Sequence, residues 1–270
     1  MIQFPNCKIN LGLNVLEKRA DGFHNIASVF YPVSLYDVLE LAPASDKTTR
    51  LFNYGLRVEG PQRQNLCIKA YDIIKSQYAE IPPVHIHLYK NIPMGAGLGG
   101  GSADGAFMLL ALNKKFNLNI AESQLEAMAL ELGSDCPFFI LNKPVLATGR
   151  GELLKPITLN LSEYYILIVN PGIHVNTGWA FAQLKPKEQP NTILSILQQP
   201  IETWKEQLHN DFEKAVFNEH PAIAQLKAQF YNNGAIYASM TGSGSTVFGL
   251  FSRNQQPAIA FPPHYKVYLL

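Results

Sequence analysis

Pro93-Met-Gly-Ala-Gly-Leu-Gly-Gly-Gly-Ser-Ala-Asp-Gly105 holds six of the chain's 19 glycines in thirteen residues, where even spacing gives about one. His85-Ile-His-Leu-Tyr-Lys90 before it alternates as a strand does. Ala106-Phe-Met-Leu-Leu-Ala-Leu-Asn-Lys-Lys-Phe116 after it is apolar enough for a buried helix. A glycine-dense loop that opens a helix gathers backbone N–H groups around one concavity. It also adds the positive end of the helix dipole and lets an anion approach without side-chain obstruction. The competing reading is a flexible linker, but linkers are not usually set between a strand and an apolar helix. The stretch reads as a phosphate-binding loop.

Three known phosphate loops can be compared with it. The Walker pattern needs Gly-Lys-Ser/Thr, and here Gly101 precedes Ser102. The dinucleotide pattern G-x-G-x-x-G is matched literally by Gly95, Gly97 and Gly100, which keeps a nicotinamide-dependent dehydrogenase open as an alternative. That fingerprint wants its first glycine directly after the strand, yet Asn91-Ile-Pro-Met94 intervenes. It also wants an acidic residue closing a second strand about twenty residues on. The chain has instead the polar turn Asn117-Leu-Asn-Ile and then a helical pattern from Ser123 to Leu132. The protein-kinase loop fails as well, because Ser102 stands where valine belongs.

A chain of 270 residues with 47% apolar content supports one large or two small domains with a substantial core. A net charge of +1 provides no basic field of the kind that nucleic acid or an anionic membrane surface requires. Cys7, Cys67 and Cys136 are odd in number and widely spaced; they form neither a disulfide framework nor a metal motif and suit a reducing cytoplasm. We expect no signal peptide and no membrane-spanning segment. There are no internal repeats.

From Lys8 the first segment alternates, with Ile9, Leu11, Leu13 and Val15 on one face and Lys8, Asn10, Gly12 and Asn14 on the other, as in a half-buried strand. A lone lysine in a strand is ordinarily a solvated edge charge, whereas Lys8 beside Asn10 would suit a polar ligand. Arg19-Ala-Asp-Gly-Phe-His24 reads as a turn between two strands, and Ala27–Val33 and Asp37–Leu41 continue a β-rich opening. Asn65 is a competent cap for a helix running to Lys75. Glu122–Leu132 is a second helical pattern, stopped by Gly133. Asp135 comes after it, ahead of Pro137 and an apolar run; a carboxylate there is most often a cap or turn residue, and at a desolvated pocket edge it could equally be a catalytic base. Thr148–Glu152 is a tight turn, Tyr164–Asn170 a buried strand, and Lys185–Pro200 the expected long loop. Met240-Thr-Gly-Ser-Gly-Ser-Thr246 is a second glycine-serine turn, by default a simple hairpin.

Taken in order, these pieces resemble the GHMP small-molecule kinases. Pro5 to Leu11 matches the family's N-terminal motif, Pro93 to Ser102 its nucleotide loop, and Thr241 to Gly244 its C-terminal turn. Narrower similarity lies in Arg19–His24, Leu132–Phe138, Gly149–Glu152, Asn170–Gly172 and Asn210–Glu213, so the resemblance covers nearly the whole chain. It implies a two-lobed α+β fold, with an N-terminal lobe of the ribosomal protein S5 domain 2-like type over 1–158 and an α/β C-terminal lobe over 159–270. It implies ATP and Mg²⁺ as cofactors. The reaction implied is phosphoryl transfer to an alcohol, with a small-molecule acceptor that is a cytidine diphosphate-linked sugar alcohol. Other members' acceptors (homoserine, mevalonate or a sugar) are the alternative. A non-catalytic phosphate-binding module is a third reading.

By motif, the resemblance makes Asp135 the catalytic base and Lys8 the cation that offsets charge at the transferred phosphoryl group. It assigns the nucleotide to Pro93, Met94, Gly95, Ala96, Gly97, Leu98, Gly99, Gly100, Gly101, Ser102 and Ala103, with Asn65 on the adenine side and Ser102 a weak metal ligand. On the acceptor side it implies Asn10, His24 as the reader of cytosine, Phe23 and Phe181 stacking on the base, and Thr177 and Lys90 nearby. Three positions depart from the pattern. Phe23 replaces an expected Tyr, which keeps a stacking face and removes a hydroxyl. Asp104 replaces a neutral residue, and a carboxylate near a triphosphate is repulsive unless it faces a cation or solvent. Cys7 stands in for Ala as a small apolar equivalent.

Overall fold

The chain forms twelve strands and nine α-helices within the residues that the computed structural model describes, 1–184 and 192–270; Asn65, Asn176 and Thr192 cap three of the helices with their side chains. In chain order these are β1 (Ile2–Gln3), β2 (Asn6–Lys18), β3 (His24–Tyr36), β4 (Val38–Pro43), β5 (Arg50–Gly55), α1 (Leu66–Gln77), β6 (Val84–Lys90), α2 (Gly100–Lys115), α3 (Glu122–Leu132), α4 (Cys136–Leu141), β7 (Val145–Thr148), β8 (Leu153–Pro156) and β9 (Tyr164–Asn170). After these come α5 (Thr177–Ala182), α6 (Ile193–Leu197), α7 (Trp204–Gln207), α8 (Glu213–Glu219), α9 (Pro221–Asn232), β10 (Tyr237–Met240), β11 (Val247–Ser252) and β12 (Lys266–Leu269). The chain forms two compact units that interleave along the sequence: 1–7, 34–94 and 99–143 in the first, and 8–33, 95–98 and 144–270 in the second.

The first unit carries a four-stranded sheet in the order β1-β4-β6-β5. Strand β4 runs antiparallel to β1 and β6, while β5 is parallel to β6. Period-two alternation places Leu39, Leu41, Ile86 and Leu88 on the buried face, with Leu39 opposite Leu88 and Leu41 opposite Ile86. Helix α2 is apolar on nearly every side, and a helix of that kind belongs inside. It starts at Gly100, six residues before the apolar run, so the last glycines of the loop form its first turn. Asn65 caps α1 as expected, its side chain accepting the Cys67 N–H at 2.9 Å. Gly133 ends α3 in an extended conformation, φ 164°, rather than in a left-handed cap.

This topology removes the dehydrogenase reading. A dinucleotide fold continues from the helix after the glycine loop into a parallel neighbour of the preceding strand. Here the parallel neighbour of β6 is β5, which precedes it, and α2 leads to α3 and α4.

The second unit holds the sheets β2-β3-β7-β8 and β10-β11-β9-β12. Its core joins Leu13 and Val15 to Leu167, Val169, Val247 and Phe251 and to the inward stripe of α8 and α9, Val216, Ile223, Leu226 and Phe230. Two sequence expectations are corrected. Strand β2 is not half-buried: every residue from Asn6 to Val15 is inside, and Lys8, read ordinarily as a solvated edge charge, is 3% exposed. In the expected long loop, Ile193–Leu197 is helical, because Thr192 caps it through the Ser195 N–H at 3.2 Å and Ile193 and Ile196 find apolar cover. The remainder of that expected loop from 185 to 191 lies outside the described residues.

Candidate active site

Gly95, Gly97 and Gly99 all take left-handed backbone angles, φ +61°, +79° and +70°. At Gly97 a Cβ would stand 2.0 Å from the carbonyl oxygen of Thr241, so a side chain there is excluded by contact as well as by φ. Gly99 is the N-cap of α2, and Ala103 is the first residue of its ladder, donating to the Gly99 carbonyl at 2.9 Å. The N–H groups of Gly100, Gly101 and Ser102 are therefore the helix's unclaimed donors, and no acidic side chain in the first turn opposes the dipole. At Gly101 a Cβ would meet nothing within 4 Å. Asn65, Met94, Gly101 and Asp104 share the lining of one cavity of about 240 Å³ in the first unit, together with Gly60 and Lys90. Pro93 is buried beside the exposed Met94, and Ala96, Leu98 and Ala103 are buried.

Lys90 leaves the end of β6 into a buried ion triad, with its ammonium bonded to Asp37 and, at 2.6 Å, to Asp104. All three side chains are nearly inaccessible. Asp37 is fully used, since its Oδ1 also accepts the N–H groups of Asn91 and Ile92 at 2.6 and 2.9 Å. Asp104 is not: its Oδ1 has no hydrogen-bond partner, the sole such buried side-chain atom among the described residues. Burial pushes the Asp104 carboxyl well above the usual range and the Asp37 charge adds to this, while Lys90 pulls the other way. Lys90 is itself raised: burial opposes its charge, and Asp104 and Asp37 more than offset that. The carboxylate that looks repulsive in the sequence is thus balanced by a lysine, and that lysine, expected near the acceptor, has its ammonium occupied by two carboxylates.

In the second unit the Asn10 carboxamide and the Thr241 hydroxyl together link the three family motifs. Asn10 Oδ1 accepts from Lys8 Nζ at 2.6 Å, from the Thr241 hydroxyl at 3.0 Å and from the Gly242 N–H at 2.9 Å. Its Nδ2 donates to Ser28 Oγ at 2.8 Å, and Ser28 donates to the Gly12 carbonyl. The Thr241 hydroxyl also faces the Gly97 carbonyl at 3.0 Å. Lys8 has its N–H on the Leu98 carbonyl and its ammonium 4.6 Å from the centre of the Phe30 ring. The hairpin at 241–246 is accordingly more than a connection. Asn210 supports it through the Met240 and Gly242 carbonyls, and Glu213 through the Met240 N–H. In the sequence Asn210–Glu213 is a motif without a role, and nothing around Ser28 singles it out.

Apart from Lys90 in the first unit, the acceptor-side candidates also lie in the second unit. The Asp21-Gly22 turn joins β2 to β3 as expected, with Gly22 at φ +85°. Phe23 is half exposed; His24 lies flat on Phe181, ring centres 4.9 Å apart and planes 15° from parallel. Phe212 meets Phe181 edge-on. Burial, helped by the Lys18 charge, lowers the His24 pKa, so the ring is neutral at pH 7. Thr177, exposed at the start of α5, shares a hydrogen bond of 2.9 Å with Ser243. In the first unit Asp135 stands at the N-cap of α4 but does not cap it with its side chain. Cys136 beside it is raised to about 12 by burial, which leaves an inert thiol. A larger cleft in the second unit, about 750 Å³, is lined by Val15, Trp179, Asp211 and Lys214 and by none of the sequence candidates.

Comparison with known proteins bears on what this geometry serves. Residues 65–143 match the GHMP kinases N terminal domain and residues 193–261 match the GHMP kinases C terminal domain. The 4-diphosphocytidyl-2-C-methyl-D-erythritol kinase of Bacteroides thetaiotaomicron is 51% identical over 253 residues, 93% of this chain and 92% of that protein. A crystal structure of a 4-(cytidine 5'-diphospho)-2C-methyl-D-erythritol kinase superposes with a TM-score of 0.78 at 33% identity, covering 93% of this chain and 90% of that one. Homoserine kinase from Cytophaga hutchinsonii shares the fold, with a TM-score of 0.65 at 16% identity over 92% and 86% of the two chains.

Proposed function

Because the chain belongs to the 4-diphosphocytidyl-2-C-methyl-D-erythritol kinase family of the GHMP kinases, we propose that it transfers the γ-phosphoryl group of ATP to the 2-hydroxyl of 4-diphosphocytidyl-2-C-methyl-D-erythritol, a step toward isoprenoid precursors. The observation that carries the nucleotide side is the glycine loop, with its three left-handed glycines and the unclaimed N–H groups of Gly100, Gly101 and Ser102. These donors suit phosphate oxygens, and the open space at Gly101 suits a close approach. Asn65, assigned by the resemblance to the adenine side, lines the same cavity as Met94 and Gly101 of the loop.

Asp135 takes the proton of the acceptor hydroxyl as the new O–P bond forms and the bond to the β-phosphate breaks, releasing ADP. Lys8 supplies positive charge for the phosphoryl oxygens, and Asn10 fixes where that charge stands. His24 reads the cytosine, and Phe23 and Phe181 form the stacking surfaces, with Thr177 beside them. Lys90 acts as an internal brace rather than as an acceptor contact. A bound Mg²⁺ neutralises phosphate charge in such transfers. By the resemblance, Ser102 is the candidate protein ligand for that ion. The family matches fall on either side of residue 158, which supports sequence domains at 1–158 and 159–270. Three buried thiols suit a cytoplasmic setting, and no described helix is long and apolar enough to cross a membrane.

The test is ADP release with Mg-ATP and each of four acceptors: the cytidyl substrate, homoserine, mevalonate and galactose. We expect turnover on the cytidyl substrate alone. Asp135→Asn should lower kcat by about 10²- to 10⁴-fold with ATP binding retained. Turnover on another acceptor would keep the family and overturn the substrate. An active Asp135→Asn protein would overturn the base.

A further inference from the structure

The turn Thr148-Gly-Arg-Gly-Glu152 has no part in the chemistry above, yet it places a cation on an acceptor-side ring. The Arg150 guanidinium lies over Phe23, 5.0 Å from the ring centre. This is a held arrangement. Glu152 Oε2 accepts the Arg150 N–H at 2.5 Å, and its Oε1 stands 3.5 Å from Arg150 Nε. Gly149, at φ +67°, makes room for that carboxylate, which would lie 2.8 Å from a Cβ at this position. The Gly149 carbonyl accepts the Ile26 N–H at 2.7 Å, tying the turn to the strand just after Phe23. The ring's own backbone is fixed from the other side: the Phe23 N–H donates to Asp21 Oδ1 at 3.1 Å, and its carbonyl accepts the Arg19 N–H at 2.8 Å.

Phe23 is nonetheless 53% exposed, an apolar ring left in solvent on a polar turn, and it lacks the hydroxyl by which a tyrosine could be tied down. A planar guanidinium stacks on an aromatic face and restrains it without covering the other face. We propose that Arg150 is a positioning residue for acceptor recognition: stacked on one face of Phe23 and anchored by Glu152, it holds the ring so that the opposite face receives the cytosine. The proposal rests on the cytidyl-acceptor reading above.

The experiment measures kcat and both KM values for the wild type, Arg150→Ala, Arg150→Lys, Phe23→Leu and the Phe23→Leu/Arg150→Ala double variant, with a melting curve for each. Loss of an exposed cation–ring contact should raise the acceptor KM of Arg150→Ala roughly two- to fivefold, with kcat and the KM for ATP retained. Arg150→Lys, which keeps a cation but not the planar fork, should fall between it and the wild type. Adding Arg150→Ala to Phe23→Leu should change nothing further, because the ring is already gone. An unchanged acceptor KM in Arg150→Ala overturns the proposal. So does an equal loss in kcat or in ATP affinity, which means a merely structural turn. The full Arg150→Ala effect persisting without the ring also overturns it, since the guanidinium then acts on the acceptor directly. If the wild type instead turns over homoserine or mevalonate, the functional reading falls and the proposal with it.

Discussion

Replacing Lys90 by methionine keeps most of the side chain's volume and removes the single cation between two buried carboxylates. Asp37 would keep its two backbone donors, while Asp104, whose Oδ1 already lacks a partner, would lose the only donor on its Oδ2. Breaking a buried ion pair by deleting one partner costs about 3–5 kcal/mol. Asp104 can relieve part of this by binding a proton, so we expect about 3 kcal/mol near neutral pH and more in alkali. At roughly 2–4 °C per kcal/mol for a chain of this size, melting should drop by about 6–12 °C. Asp104→Asn is the contrasting change, because it leaves Lys90 and Asp37 one to one and should cost no more than about 1 kcal/mol. Its signature is in the pH dependence. The raised Asp104 pKa means that the folded chain holds more protons than the unfolded chain from the ordinary carboxylate range up to the raised value, so stability falls as pH rises across that window. The stability of the wild type relative to Asp104→Asn should therefore shrink from pH 5 to pH 8. Urea unfolding tracked by circular dichroism at four pH values measures this. A Lys90→Met cost under about 1 kcal/mol, or a wild-type advantage that grows with pH, would refute the account of the triad.

The same geometry sets further outcomes. Gly97→Ala should lose folded protein or activity outright, because φ is +79° and the Thr241 carbonyl occupies the space. Gly101→Ala should keep the wild-type melting temperature and raise the KM for ATP, since the position is open and helical. Calorimetric titration with cytidine diphosphate should show affinity that is level above pH 6.5 and declines below it, as the His24 ring, with its pKa lowered by burial beneath the ordinary 6.5, takes up a proton in acid. His24→Gln should flatten that decline, and affinity rising toward acid would assign the ring the opposite role.

Much of the fold is legible in the sequence because its signals are local. Strand β6, the start of α1, the whole of α3, strand β9 and the turns at 19–24 and 148–152 arise from alternation, a cap or a glycine within a few residues of the element itself. Helix α2 begins six residues ahead of its apolar run; glycines are poor helix formers, so the propensity signal misses them, and at Gly100 tertiary packing leaves no space for a side chain, since a Cβ would stand 2.7 Å from Ile92 Cγ2. The helix at 193–197 is hidden by neighbouring polar and proline residues, and its formation depends on burial of Ile193 and Ile196.

The glycine loop, the family resemblance and the candidate site residues are all written in the chain, because glycine φ preferences, caps and motif spacing are properties of a short stretch. What those residues touch is a matter of tertiary structure. Lys90 meets partners 53 and 14 positions away, and Asn10 meets Thr241 and Gly242 from 231 and 232 positions away. The same holds for Arg150, whose place over Phe23 depends on two turns of different hairpins coming together. Such pairings are set by how packed elements align their side chains in three dimensions, and no periodicity along the chain records them.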